Sequence, residues 1–165
     1  MNPHLPVIPP EGKCRYTLRV YYEDTDAGGV VYHAGYLRFA ERARTEALRD
    51  LGIPHAEMVE RYTLMFVVRR VEIDYVRPAR VDESLTVVTE ALAVRGASVL
   101  LQQDVQGEGG TCAVARVRLA CVQAGGNEPG ANKAGGNKPG RIPRRWRDTL
   151  QALCEARGAA GAAPA

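Results

Sequence analysis

The sequence has few of the features that mark membrane, secreted or metal-binding proteins. No apolar run approaches the roughly 18 residues of a membrane-spanning helix, and the first ten residues lack the basic and long apolar parts of a signal peptide. Three histidines occur, in no H-x-x-x-H arrangement, so we expect no metal site and no cofactor. The four cysteines form no C-x-x-C pair, which is typical of free thiols in a reducing compartment. We therefore predict a cytoplasmic protein without stable membrane insertion.

A strong excess of charge of one sign is also absent. The net charge of +3 comes from 22 basic and 19 acidic residues, which is too even a balance to favour nucleic acid as a partner. With 165 residues, 45% of them hydrophobic, the chain is long enough to bury a core. We expect a disordered lead-in over 1–12, one domain over 13–157 and a disordered tail over 158–165.

Hydrophobic periodicity predicts an α+β fold in which one long helix packs on an antiparallel sheet. Alternating apolar residues predict a strand from Lys13 to Tyr22, and an alanine stripe at steps of three and four predicts a helix from His33 or Ala34 to Leu51. The remaining predicted elements are a short helix near 55–61, strands over 64–75, 84–94, 97–106 and 111–123, and a terminal helix over 142–157.

An imperfect glycine- and proline-rich repeat separates the last predicted strand from the terminal helix. The segment 124–140 contains Ala-Gly-Gly-Asn-Glu-Pro-Gly followed, after three residues, by Ala-Gly-Gly-Asn-Lys-Pro-Gly. A seven-residue unit is too short to form a repeat architecture, and this composition cannot order a core. We predict a flexible surface loop without a chemical role.

The densest group of chemically active residues lies between the first strand and the long helix. Three acids, Glu23, Asp24 and Asp26, precede the pair Gly28-Gly29, and a histidine follows four residues later. A carboxylate beside the free N–H groups of a helix start is suited to polarising a carbonyl group. A solvated acidic turn explains the same residues equally well.

Several motifs together resemble one enzyme family. The run Arg19–Tyr36 closely resembles the active-site signature of the 4-hydroxybenzoyl-CoA thioesterase family, and in particular the acyl-CoA thioesterases encoded with the bacterial Tol-Pal envelope system. The segments Glu41–Glu46, Phe66–Arg70 and Pro78–Asp82 add to a resemblance that covers about 15–122. It implies the hotdog fold, an acyl-CoA substrate, and a homodimer or homotetramer with active sites between subunits.

The same resemblance implies roles for individual residues. Asp26 matches the catalytic aspartate, acting as nucleophile or general base, and the His33 N–H matches the leading donor to the oxyanion. Gly28 and Gly29 would let the backbone approach the substrate, and the N–H near Tyr32 would be a further donor to the substrate carbonyl. The family pattern thus predicts a thioester hydrolase that releases free acid and CoA.

Other interpretations of these residues remain open. A protein of the same fold can bind acyl groups on CoA or acyl carrier protein without cleaving them, or can hydrate an enoyl-CoA. Asp24 lies on the face of Asp26 if the strand continues, but an exposed or turn-capping acid is the simpler interpretation. Glu41 either faces a cavity or forms a surface ion pair with Arg38 or Arg44, and we favour the ion pair.

Overall fold

The computed structural model describes residues 7–124 and 138–161, with side chains up to residue 159. Five strands form one antiparallel sheet, which confirms the predicted α+β class. The strands are β1 (Lys13–Arg19), β2 (Leu64–Tyr75), β3 (Ser84–Val94), β4 (Ser98–Gly107) and β5 (Gly110–Gln123), and their order in the sheet is β1-β3-β4-β5-β2. The helices are α1 (Gly35–Asp50), α2 (His55–Tyr62) and α3 (Arg144–Gly161). None of the described helices combines the length and apolar character that crossing a bilayer requires.

The long helix α1 packs on β1, β3 and β4 through its small residues. Ala40, Ala43 and Ala47 are all buried, as the stripe predicts, and their short side chains let the helix lie close to the sheet. Leu37, on the same helix, stays 38% exposed. It borders a cleft between α1 and β2 that Val68 and Val71 also line, so this flank of the helix is not covered.

A bulge lets the edge strand β2 present apolar residues to the core along its whole length. Phe66 and Ile73 both pack against the core, although a spacing of seven residues places side chains on opposite faces of a regular strand. The pairing with β5 shifts between Val68 and Arg70, and this extra residue restores the inward direction. β2 therefore carries one apolar face across 12 residues while its outer edge stays unpaired among the described residues.

The first strand is shorter than its alternation predicts. β1 ends at Arg19, and Tyr22–Asp24 form a 3₁₀ turn instead of continuing the strand to Tyr22. The Asp24 carboxylate accepts a hydrogen bond from the Tyr21 N–H at 3.0 Å, which closes the turn. The Tyr22 side chain is consequently 83% exposed, where the strand prediction placed it on the buried face.

Secondary structure extends a few residues beyond both predicted terminal boundaries. Pro10–Gly12 form a 3₁₀ turn, and a Cβ on Gly12 would overlap the backbone of Leu153, so this part of the lead-in is packed against α3. The helix α3 continues to Gly161 instead of ending at Arg157, because the alanines that follow Gly158 are strong helix formers. Residues 1–6 and 162–165 lie outside the described residues.

The predicted flexible loop is bounded by backbone pairing on the sheet. The Gln123 N–H donates to the carbonyl of Lys138 at 2.9 Å, and the Gly140 N–H donates to the carbonyl of Cys121 at 2.9 Å. The range 124–140 was therefore too wide at its C-terminal end, where an isolated bridge joins Val122 and Pro139. The repeat itself, over 125–137, lies outside the described residues.

Candidate active site

The candidate site is a tight loop between the 3₁₀ turn and α1. The Asp26 N–H donates to the Val30 carbonyl at 2.9 Å, and the Gly29 N–H returns to the Asp26 carbonyl at 3.0 Å. A bridge between Thr25 and Val31 closes the base of this loop. Asp26 therefore stands at a fixed point of a hairpin-like turn that leads directly into the helix.

The Asp26 carboxylate is exposed and only partly engaged. Its Oδ1 accepts a hydrogen bond from the Gly28 N–H at 2.8 Å, the Asx-type contact that favours such turns. Its Oδ2 has no partner in the part of the chain that the structure describes. One oxygen thus orients the carboxylate while the other remains available to a water molecule or a carbonyl carbon.

The two glycines have different roles in this loop. Gly29 has a φ of +71°, a conformation that L side chains adopt only at a cost, so the turn requires glycine there. Gly28 has no such φ, but a Cβ at this position would lie 3.1 Å from the Asp26 Oδ1. Gly28 therefore gives room to the carboxylate, and its N–H holds that group in place.

Only one of the two N–H groups predicted as donors is free. The Tyr32 N–H donates to the Asp24 carbonyl at 2.9 Å, so its predicted role as a free donor is wrong. The His33 N–H has no acceptor among the described residues. The helix begins at Gly35, slightly later than predicted, because the Gly35 N–H closes a turn on the Tyr32 carbonyl at 2.7 Å. No side chain caps its first turn at Ala34.

Asp24 and Asp26 occupy opposite environments although they are two residues apart. Asp24 is only 2% exposed, and its oxygens contact the Tyr21 N–H at 3.0 Å and the Arg38 guanidinium at 3.4 Å. The strand that would have placed both acids on one face ends before them. Asp24 is therefore a structural acid that holds the turn, which agrees with its interpretation as a capping residue.

An aromatic wall from β2 and α1 faces this loop. The Tyr75 hydroxyl donates to the His33 carbonyl at 3.0 Å, and the rings of Tyr36 and Tyr75 meet edge to face at 5.6 Å. The Tyr36 hydroxyl accepts the Ala79 N–H at 3.0 Å, and burial raises the pKa of this phenol. A shallow cleft of about 340 Å³ is lined by Asp26, Val31, Tyr32, His33, Tyr36, Tyr75, Val76, Arg77 and Pro78.

Sequence reasoning missed the contribution of Tyr75 and Arg77 to this cleft. Tyr75 ends a strand that starts far from the loop in the chain, and only the folded sheet brings it to His33. The proline that ends β2, Pro78, marks where the chain turns back toward the loop and is the one available signal.

Glu41 does not form the ion pair that we favoured. Its Oε1 accepts the Thr45 hydroxyl at 2.9 Å, while Arg38 contacts Asp24 and Arg44 donates to Gln103. Glu41 lines a separate, mainly apolar cavity of about 150 Å³ between α1, the sheet and α3. Glu41 thus borders a cavity, but not the cleft that contains Asp26.

Known proteins share both the sequence and the architecture of this chain. The model of the thioesterase-like superfamily matches residues 20–152. The chain belongs to this superfamily. An acyl-CoA thioesterase YbgC from Haemophilus influenzae is 47% identical over 69% of this chain and 84% of its own length. An acyl-CoA thioester hydrolase YbgC from Escherichia coli O157:H7 is 49% identical over 66% of this chain and 81% of its own.

A solved structure extends the likeness of this thioesterase-like chain to three dimensions. A probable thioesterase from Bartonella henselae superposes with a TM-score of 0.67 at 36% identity, over 78% of this chain and 98% of that one. The predicted family, the hotdog fold and the enzyme class of thioester hydrolase are confirmed.

Proposed function

We propose that this thioesterase-like chain hydrolyses acyl-CoA to free acid and CoA, with Asp26 as the catalytic carboxylate. The proposal depends on one observation above all: an exposed carboxylate shares a cleft with a helix-start N–H, and within residues 7–124 and 138–161 neither one carboxylate oxygen nor this N–H has a partner. The YbgC relatives, which are named as acyl-CoA thioesterases, support the choice of substrate.

The residues of the cleft divide the work of thioester cleavage. Asp26 takes a proton from a water molecule whose oxygen adds to the thioester carbon. Alternatively its own oxygen adds there, and after CoA leaves, water hydrolyses the acyl–Asp26 anhydride to release the acid. The His33 N–H and the positive end of α1 stabilise the negative charge on the carbonyl oxygen. When the tetrahedral intermediate collapses, the carbon–sulfur bond breaks and the CoA thiolate leaves, to be protonated by solvent.

A thiol-release assay over short, long and aromatic acyl-CoA substrates tests this proposal. We expect turnover on at least one class, and acyl carrier protein thioesters extend the panel to the second possible donor. Trapping of an acyl-enzyme by hydroxylamine in a single turnover would identify Asp26 as nucleophile, and its absence during active turnover would favour the general base. Binding of acyl-CoA without turnover across the panel would contradict hydrolysis and favour a binding module.

We also propose that the edge of β2 joins two copies of the chain in a homodimer, on which a homotetramer could build. Four apolar side chains on or beside this 12-residue edge strand are exposed, namely Met65, Val68, Tyr75 and Val76. A long edge with exposed apolar groups is a surface that soluble proteins usually cover. We expect light scattering to give a dimer or a tetramer, and Val68→Lys to shift it to smaller species. A monomeric wild type would contradict the proposal.

A cytoplasmic site of action follows from the same proposal. All four cysteines are free, which suits a reducing compartment where acyl-CoA is available. We propose that any role beside the Tol-Pal envelope system is exerted from that compartment. Fractionation of cells that express the tagged chain would test this location, and recovery in an oxidising compartment would contradict it.

A further inference from the structure

A partly buried ion pair lies next to the candidate active site. The Arg77 guanidinium contacts the Glu83 carboxylate at 2.5 Å and 3.4 Å, and it also donates to the Pro78 carbonyl at 3.0 Å. The second oxygen of Glu83 accepts the Arg80 N–H at 3.1 Å. This pair therefore fixes the segment 77–83, one member of which, Arg77, also lines the cleft with Asp26.

The turn between β4 and β5 packs closely against this pair. A Cβ on Gly107 would overlap the Glu83 carboxylate and lie 2.5 Å from the Arg77 guanidinium. The Cys112 sulfur lies 3.0 Å from the same guanidinium, and the Cys112 carbonyl accepts the N–H groups of Val76 and Arg77. Gly107 and Cys112 thus confine the pair on the side of this turn, while 30% of the Arg77 side chain stays exposed.

The segment 77–83 forms backbone hydrogen bonds with residues on both sides of the loop that carries Asp26. Before the loop, the Val20 N–H donates to the Glu83 carbonyl at 3.0 Å, and the Asp82 N–H donates to the Val20 carbonyl at 2.9 Å. After the loop, the Val31 N–H donates to the Ala79 carbonyl at 2.9 Å.

Two further contacts connect the same segment to the end of the loop and to the start of α1. Val30 forms a bridge with Arg80, and the Ala79 N–H donates to the Tyr36 hydroxyl on the first turn of the helix. The loop carrying Asp26 and the helix start carrying His33 therefore share one support. A change in that support would move the carboxylate relative to the free N–H group.

We propose that the Arg77–Glu83 pair is a positioning device for thioester hydrolysis, which sets the Asp26 loop against the His33 N–H through Ala79 and Val31. This inference rests on the proposed function. Neither side chain needs to touch the reacting atoms, because misplacing catalytic groups by about 1 Å can cost on the order of 10²-fold in rate. The pair acts through the backbone of residues 79–83.

The test compares Glu83→Gln with a matched substitution, Glu57→Gln. Glu57 forms a similarly buried pair with Arg145 at 2.7 Å, with 14% of its side chain exposed against 13% for Glu83, but it lies on α2 outside the cleft. We expect both variants to lose thermal stability, whereas only Glu83→Gln lowers kcat, by roughly 10-fold or more, with KM little changed.

Amide hydrogen exchange supplies a readout that does not depend on activity. We expect faster exchange at the Val31 and Ala79 amides in Glu83→Gln and unchanged exchange there in Glu57→Gln. Arg77→Lys keeps the charge and serves as a milder variant if Glu83→Gln does not fold, with an intermediate loss of kcat.

The outcomes separate the two claims. An inactive wild type would overturn the proposed function, while faster exchange at Val31 in Glu83→Gln would still support the positioning role. An active wild type in which Glu83→Gln and Glu57→Gln have equal kcat and equal exchange at Val31 would overturn the positioning role alone.

Discussion

The helix α1 is capped at its C-terminal end but not at its N-terminal end. At the C-terminal end Gly52 adopts a φ of +72°, its N–H returns to the Arg49 carbonyl at 2.9 Å, and its own carbonyl accepts Arg145 at 2.8 Å. At the N-terminal end Ala34 offers no side-chain cap, and the neighbouring His33 N–H has no acceptor among the described residues. A helix end without caps normally costs stability, and under the proposed function the substrate carbonyl supplies the missing acceptor at this open end.

The largest effect on this contrast is expected from a negative charge at the open end, that is, the uncapped N-terminal end of α1. In Ala34→Asp a carboxylate would stabilise the helix by about 0.3–1 kcal/mol through the helix dipole, yet it would repel the developing oxyanion. We expect kcat to fall on the order of 10²-fold, as when an oxyanion donor is lost. Steady-state kinetics and urea unfolding measure the two effects, with Ala34→Asn as the neutral control. Unchanged kcat in Ala34→Asp would show that the open end is not used.

Removing a cap from the closed end, that is, the C-terminal end of α1, should lower stability and leave activity unchanged. Arg145→Ala loses the bond to Gly52 and the ion pair with Glu57, while the cleft is untouched. We expect the free energy of unfolding to fall by about 1 kcal/mol with kcat unchanged, since a typical hydrogen bond contributes that much. Urea unfolding beside the kinetic assay checks this. A loss of kcat at constant stability would mean that the two ends are coupled.

Acid should weaken the support beneath the open end in a defined direction. The hydrogen bond from Arg77, opposed only in part by burial, holds the pKa of Glu83 below its ordinary value of 4.5. The unfolded chain therefore binds the proton more readily, so this contribution to stability is complete above about pH 4.5 and disappears as pH falls through the lower folded-state pKa.

Urea unfolding of the wild type and Glu83→Gln across this pH range measures that contribution. We expect the stability difference between them to be constant above about pH 4.5 and to shrink below it. A difference that does not change with pH would show that the carboxylate charge is irrelevant to the support.

The smallest expected effect concerns the reactivity of the Cys14 thiol, which lies near the closed end of α1. Burial, with a minor contribution from the Asp50 carboxylate at the end of α1, raises the pKa of the Cys14 thiol to about 11. Because the thiolate is the reactive form, we expect Cys14 in the folded protein to resist iodoacetamide at neutral pH and to react once the chain is unfolded. Peptide mapping after a timed pulse measures this, and rapid labelling of folded protein would show that this end opens.

Local sequence patterns predicted most of the helices and strands. The spacing of apolar residues within one element indicates both its type and its buried face. The bounds of β2 and β3 agree with the predicted ranges 64–75 and 84–94, and the alanine stripe of α1 is buried as expected. The end of β1 was misplaced because an alternating pattern through Tyr22 gives no sign that Asp24 will close a turn on Tyr21. The hydrogen bond from a side chain to the backbone competes with strand pairing, and here the turn forms instead of the strand.

The candidate site was predictable only where its residues are neighbours in the chain. The signature identified Asp26 and His33 together, and the structure brings both to one cleft. It identified the His33 N–H as the leading donor, but it gave no sign that the Tyr32 N–H would donate to the Asp24 carbonyl instead of staying free. The Tyr75 hydroxyl reaches the His33 carbonyl, and the Glu83 carbonyl accepts the Val20 N–H, only in the folded chain; such contacts between distant residues have no local sequence pattern.

Thiol release from acyl-CoA by Asp26→Asn and Glu23→Gln, measured side by side, tests the central claim most directly. Both variants replace an exposed acid of the same loop region by its amide, but only Asp26 lines the cleft. We predict that Asp26→Asn lowers kcat on the order of 10²–10⁴-fold, with the fold retained by circular dichroism, while Glu23→Gln matches the wild type. Full turnover in Asp26→Asn would contradict the assignment of Asp26 as the catalytic carboxylate.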